Sequence, residues 1–235
     1  MLSLAGWAYV KLPYNGGISI CQDNCSDDSD EKLTFESFYN LAEIMDSLIT
    51  LFTDRLGLNR DQFDTFCAQL KVKSLKKKEH LISEGSVCNF MGFVSSGTLR
   101  SYVKNNDGEF NNDFYFDHDF VSAYTSFLTQ MPTNCNIEAL TDSTIHYISY
   151  EKLNGLIDHD NAFLKLSKYV SDTYFIRKCK RETSFLKYSA SERLEHLSSL
   201  YPEIEQRVSQ YHIASYLGVK PESLSRIKLL TYINK

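Results

Sequence analysis

The side chains best suited to recognition chemistry stand near the C-terminal end. Glu222, Ser223, Ser225 and Arg226 fall at the outward-facing start of one predicted helix. An arginine can donate in a fork to guanine O6 and N7, a glutamate can accept from cytosine N4, and serine can do either. That is the chemistry of reading base edges in a major groove. Gln210, Tyr211, Lys220 and Lys228 flank them and suit phosphate oxygens. No comparable set points to catalysis. Gly-x-Ser-x-Gly, His-Glu-x-x-His and a glycine-rich phosphate loop are missing from the sequence, so neither a catalytic residue nor an enzyme activity is expected. Asp117-His118-Asp119 has the composition of an acid–base or metal cluster, but adjacent residues in a strand or turn point apart. No metal is assigned to it.

The base-reading set needs a frame, and the stretch from Gln210 to Lys228 supplies one. With Gln210 as position one, a helix-turn-helix requires a small residue at position five, where the helices cross, and Ala214 is there. It requires glycine at position nine, where a positive φ is cheap only without a Cβ, and Gly218 is there. Positions four, eight, ten, fifteen and eighteen must be apolar. Ile213, Leu217, Val219, Leu224 and Ile227 fill them. Pro221 suits the first turn of the second helix, where its missing N–H is not needed. The second helix of such a unit lies in the major groove.

Upstream, the pattern changes twice. Residues from Met45 to Leu70 have helical spacing, with Leu48, Leu51, Phe52 and Leu56, then Phe63, Phe66 and Leu70. From Val72 to Tyr150 strands are expected. Leu99, Ser101 and Val103 alternate with Arg100, Tyr102 and Lys104, and the run ends in the hairpin signal Asn105-Asn106-Asp107-Gly108. Phe114 to Phe116 and Ile145 to Tyr150 read as further strands, with turns at Glu84-Gly85 and Ser96-Gly97. Short, closely spaced strands predict a barrel or sandwich. Helices return after Tyr150. Asn161 to about Lys187 has no glycine or proline, and its stripe of Leu166, Val170, Thr173 and Ile176 suggests a helix that pairs with its copy in a homodimer; the stripe fades after Ile176, which leaves an ordinary packing helix open as the alternative. Ser189 to Leu200 is another helix, stopped by Tyr201-Pro202.

Charge is uneven. The net charge is -5, which argues against nucleic acid until its distribution is considered. Residues 1–44 hold seven acids and two bases, leaving 23 of each in the rest. A neutral chain binds DNA if its bases share a face. Residues 1–44 are expected to be a poorly ordered or loosely docked acidic extension, and Met45 is a candidate natural start. The six cysteines, Cys21, Cys25, Cys67, Cys88, Cys135 and Cys179, contain no Cys-x-x-Cys pair. They read as reduced thiols. No apolar run is long enough to span a membrane, and the N-terminus lacks the leading positive charge of a signal peptide. A cytoplasmic protein without cofactor is expected.

Together these features resemble the Crp–Fnr family of bacterial transcription regulators, over about Leu48 to Lys228. The resemblance rests on Leu81-Ile82-Ser83-Glu84-Gly85, on Phe93 to Arg100, on Asp117-His118-Asp119-Phe120-Val121, and on Pro221-Glu222-Ser223-Leu224-Ser225-Arg226. It implies an α+β chain: an N-terminal double-stranded β-helix (a jelly-roll-like β-roll), a long dimerisation helix, and a C-terminal winged-helix-like helix-turn-helix domain. The corresponding segments are 45–157 for the β-roll effector domain, 158–187 for the dimerisation helix and 188–235 for the DNA-binding domain. It implies double-stranded DNA, a second copy, RNA polymerase and a small-molecule effector as partners. Members that bind cyclic nucleotides carry Gly-Glu-Leu and a later arginine in a phosphate cassette. In the ungapped register Ser122 and Ala123 replace the Gly and Glu, and Thr133 replaces the Arg, with Asn134 and Cys135 following. A buried phosphate without its cation is disfavoured, so cyclic AMP is not the expected effector unless Arg100 or Lys104 substitutes. Ser122, Ala123, Tyr124, Thr133 and Asn134 mark the effector pocket, and Phe116, Tyr124, Phe127 and Tyr174 are candidate aromatic lining. Pro221 also replaces a common arginine, which removes one guanine contact. A β-roll sensor that acts through a protein partner without DNA binding stays open as an alternative.

Overall fold

The computed structural model describes residues 3–4, 7–11, 18–22 and 46–233. The chain divides into two compact units, residues 1–70 and 71–235. In the first, strands β1 (Ser3–Leu4), β2 (Trp7–Lys11) and β3 (Ile18–Gln22) form an antiparallel meander, with Trp7 opposite Gln22 and Lys11 opposite Ile18. Alternating aromatic and β-branched residues outweigh the segment's acidic composition there. The acidic run from Ser26 to Glu31 lies outside the described residues.

The helical pattern over 45–70 is realised as two segments. Residues 46–50 are helical and pass into a π turn at Leu51–Arg55. Gly57 then takes a φ of +60, and Asn59 starts α1 (Arg60–Cys67) with a reciprocal capping box to Gln62. Leu48, Phe52, Leu56, Phe63 and Phe66 are buried, with the Phe52 ring 5.4 Å from Phe63 and 4.9 Å from Phe66.

The second unit is built on two four-stranded antiparallel sheets. Their strands are β4 (Lys71–Leu75), β5 (His80–Ile82), β6 (Phe90–Ser96), β7 (Leu99–Asn105), β8 (Gly108–Tyr115), β9 (Phe120–Val121), β10 (Asn136–Ala139) and β11 (Ser143–Ser149). One sheet runs β5-β10-β7-β8 and the other β4-β11-β6-β9. The β7–β8 hairpin closes where the sequence predicts, with Asn105 paired to Gly108 at φ +136. A register shift between Ser101 and Tyr102 interrupts the alternation. Leu99, Ile137, Ile145, Ile148 and Val94 fill the interior. A short helix, α2 (Tyr124–Thr129), crosses between β9 and β10.

The remaining chain is helical: α3 (Tyr150–His159), a 3-10 turn at Asn161–Phe163, α4 (Leu164–Lys187), α5 (Ala190–Leu200), α6 (Ile204–Arg207), α7 (Gln210–Leu217) and α8 (Pro221–Ile233). Ser189 ends the long helix and caps α5 in a box with Glu192. Among the described residues from Ser189 onward there are helices only, so the winged element of the expected fold has no strand there. The inward stripe of α4 is Leu166, Val170 and Tyr174, each four residues from the last. Leu166 and Val170 are thus spent inside the chain, and Thr173 is half-buried. Ile176 is exposed beside Phe175 and is free to face a second copy. Tyr174, rather than Thr173, continues the inward row.

Candidate nucleic-acid interface

Helices α7 and α8 flank a turn at Gly218 and share an apolar core. Ile213, Ala214, Leu217 and Leu224 are buried, and Val219 and Ile227 pack against them. Gly218 ends α7 in the left-handed region, at φ +69 and ψ +32. A Cβ there would also come 2.8 Å from Cε1 of Phe185 on α4. Pro221 opens α8, and the amides of Ser223 and Leu224 donate to the Lys220 carbonyl. Glu222, Ser223, Ser225 and Arg226 are all exposed on α8. The Ser225 hydroxyl donates 3.2 Å to the Pro221 carbonyl. Gln210, Tyr211 and Lys220 are exposed. Lys228 differs: its Nζ lies 2.7 Å from Glu205, and binding a phosphate would require it to exchange that partner.

This head is seated on the outer face of the β-roll, which sequence reasoning did not find. Phe114 and Phe116 join Leu194, Leu197, Ile204 and Val208 in the core that underlies the helix-turn-helix. Each such phenylalanine contributes on the order of 1.5–3 kcal/mol when buried. Around this apolar centre lies a polar joint. Arg100 on β7 is only 5% exposed. Its guanidinium reaches Glu138 at 2.5 Å, Glu109 at 2.6 Å and Asn111 Oδ1 at 3.1 Å. Asn111 Nδ2 donates 3.0 Å to the His212 carbonyl on α7, and the Ser215 hydroxyl bridges the Asn111 amide and the Glu109 carbonyl.

His212 Nδ1 faces Arg100 Nη1 at 3.4 Å and Asn111 Nδ2 at 3.3 Å. Both neighbours are donors, so this nitrogen carries no proton. Burial lowers the imidazole's affinity for a proton, and the Arg100 charge lowers it further, against an opposing pull from Glu138 and Glu109. Arg181 of α4 ties the Asn111 and Tyr216 carbonyls together, each at 3.2 Å. Arg100 and Asn111 lie 112 and 101 residues from His212 in the chain. The local signal missed was the burial of a charged Arg100 on a strand face that alternation assigns to solvent.

The expected effector residues cluster at α2. Ser122 is buried and donates 3.0 Å to the Phe90 carbonyl. Ala123 is buried at the N-terminus of α2. Thr133 is buried, with its hydroxyl on the Cys135 amide at 3.2 Å, and Asn134 is exposed. Tyr124 stacks on Tyr174 at 4.7 Å, and Phe127 lies edge-on to Tyr150. Phe116 does not belong to this lining. Its ring lies 4.8 Å from that of Tyr201, tilted by 43°, beneath the head, because it follows β8 on the side the head covers. Arg100, the candidate substitute cation, is committed to the joint, and Lys104 is exposed. Among the described residues no group of three or more His, Cys, Asp or Glu side chains is arranged to hold a metal.

Residues 72–160 match the family model of the cyclic nucleotide-binding domain. No curated protein matched the sequence. Three solved structures are similar. CLP of Xanthomonas campestris, described as a c-di-GMP responsive global regulator, is 15% identical with a TM-score of 0.60 over 75% of this chain and 93% of that one. FixK2 of Bradyrhizobium japonicum is 19% identical with a TM-score of 0.59 over 70% and 85%. A Eubacterium rectale protein described as a crp/fnr family transcriptional regulator is 20% identical with a TM-score of 0.57 over 78% and 87%. Residues 72–160 are thus similar to a cyclic nucleotide-binding domain, and the chain shares the fold of these regulators.

Proposed function

We propose that the protein is a cytoplasmic transcription regulator that binds double-stranded DNA as a homodimer. The observation that carries this reading is the helix-turn-helix in register, with Gly218 in the left-handed turn and Glu222 and Arg226 exposed on α8. Two copies related by a two-fold axis would read a palindromic site, with α4 pairing through the face that bears Phe175 and Ile176. The β-roll would carry the effector at α2. That effector is not cyclic AMP, because no cation stands at the cassette positions. RNA polymerase is the expected partner at the promoter. Among the described residues no helix is long and apolar enough to cross a membrane.

The test is a selection of genomic fragments with purified protein at near-physiological salt, with the bound DNA sequenced. A palindromic site supports the reading. If no site is enriched, repeating the selection with a metabolite extract identifies an effector requirement. Failure in both would favour a β-roll sensor acting through a protein partner.

A further inference from the structure

The Asp117-His118-Asp119 turn has the composition of a metal or acid–base cluster, and the structure puts its two carboxylates to a different use. The turn is pinned to β6: the His118 amide donates 2.8 Å to the Val94 carbonyl, and the Val94 amide donates 2.9 Å to the Asp119 carbonyl. His118 holds a φ of +69, a conformation uncommon for a residue with a Cβ. The two acids leave this turn toward different helices. Asp117 meets Arg207 of α6, in the head, at 2.7 Å. Asp119 meets Arg177 of α4 at 2.9 Å.

Each grip is built on both sides. Arg207 Nη2 donates 2.7 Å to the Gly97 carbonyl, its Nε donates 3.0 Å to the Thr98 hydroxyl, and its guanidinium lies 5.0 Å from the centre of the Phe116 ring. Asp117 also accepts from the Gly97 amide at 2.8 Å. The β6–β7 turn thus receives Arg207 together with the acid. Gly97 is at φ +109, and a Cβ there would fall 2.2 Å from the Ser143 hydroxyl, so the receiving backbone is tightly fixed. On the other side, Arg177 also reaches Asp113 at 3.4 Å, and Asp119 accepts from the Phe116 amide at 3.0 Å.

We infer that this turn is a latch whose two carboxylates fix the head to the long helix, and that Asp117, Asp119, Arg177 and Arg207 are positioning residues for DNA binding. A head held through a planar guanidinium fork has its orientation defined as well as its distance. In a dimer that orientation sets which half-site spacing both heads can reach together. The inference rests on the proposed DNA-binding function for its consequence, and on the geometry alone for the latch.

The experiment compares wild type with D117N, D119N and R207Q in two measurements. Hydrogen exchange by mass spectrometry reads the latch without DNA. Faster exchange over residues 204–217 in D117N and R207Q, with β6 and β11 unchanged, is the expected result. Unchanged exchange overturns the latch, and so does loosening spread through the β-roll, which marks a merely structural role. The second measurement uses DNA duplexes from the selection, carrying one half-site, two half-sites at the selected spacing, or two displaced by one base pair. All three variants should keep single half-site affinity and base preference, while discrimination between the two spacings falls about tenfold, equivalent to about 1.4 kcal/mol. Full retention of spacing discrimination with a released head overturns the positioning role. If wild type binds no selected site, the proposed function fails, and the exchange data still decide the latch.

Discussion

Arg100→Met isolates the joint on which the head rests. Methionine keeps most of the stem and removes the guanidinium fork. Three hydrogen bonds to Glu138 and Glu109 go with it, at 2.5, 2.6 and 2.9 Å, together with the one to Asn111 and the guanidinium's place 4.0 Å over the Tyr102 ring. Glu109 is 31% exposed and can turn to water, so its release costs little. Glu138 is 12% exposed and cannot. Removing one partner of a buried pair costs about 3–5 kcal/mol, because a charge is left without compensation. With a urea slope of roughly 2–3 kcal/mol per molar, the unfolding midpoint should fall by about 1–2.5 M. In R100M/E138Q no buried charge remains, and roughly half of the loss should be recovered. An R100M midpoint within about 0.3 M of wild type would refute the assignment of the pair as buried and mutually compensated. E138Q deepening the R100M loss would refute it equally.

Further consequences are measurable. R226A should lose about 1–3 kcal/mol of discrimination at one base pair per half-site, whereas K220A should weaken all sequences alike and flatten the salt dependence; unchanged site preference in R226A would disprove the register of α8. G218A forces a Cβ into the left-handed region and toward Phe185. It should destabilise the head by about 1–2 kcal/mol, with G218N milder because asparagine tolerates that conformation; equal melting temperatures of wild type and G218A would count against the tight turn. His212 and His146 both bind protons less readily than the ordinary 6.5, each through burial and His212 also through Arg100. A depressed histidine favours the folded state when neutral, so this stability is complete above pH 6.5 and is lost as pH falls below it toward the folded value. The slope stays under about 1.4 kcal/mol per pH unit for each group, lower still for the half-exposed His212 because water screens it. Urea unfolding between pH 7.5 and 5.5 should show a shallower slope in H212Q, and an unaltered slope would remove His212 from the account.

What the sequence made legible was local. The β7–β8 hairpin follows from Asn105-Asn106-Asp107-Gly108, and the α7–α8 turn from Gly218, because each depends on residues a few positions apart. Gly57 and Asn59 also carried a break signal, but the apolar spacing from Leu48 to Leu70 hid it. Arg100 was not legible as a buried residue. Strand alternation predicts which of two faces a side chain takes, and says nothing of whether a distant helix covers that face. The α4 stripe was ambiguous for a related reason. Leu166 and Val170 fit either a dimer seam or an internal row, and only the stacking of Tyr174 on Tyr124 decides for the latter. The same holds for Asp117 and Asp119, whose arginine partners lie on helices far along the chain.

The β-roll matches the cyclic nucleotide-binding domain model over residues 72–160, and its side chains argue against a cyclic nucleotide. Ser122 and Thr133 already spend their hydroxyls on the local backbone. Ala123 cannot hold a ribose hydroxyl, and Arg100 cannot leave the joint without stranding Glu138. A cyclic phosphate at α2 would therefore lose water and gain no cation. Ligand binding to the folded state stabilises it by RT ln(1 + [L]/Kd). At 1 mM cyclic AMP, a Kd of about 1 mM or weaker adds at most about 0.4 kcal/mol, or a shift of about 1–2 °C. A Kd near 1 μM would add about 4 kcal/mol and move the melting temperature by roughly 8–16 °C. The two cases are well separated in a thermal-shift titration with cyclic AMP and cyclic GMP. The smaller shift is expected for both. A shift above about 5 °C would mean that a cation reaches the phosphate from outside the cassette, and Lys104→Ala would be the first variant to identify it.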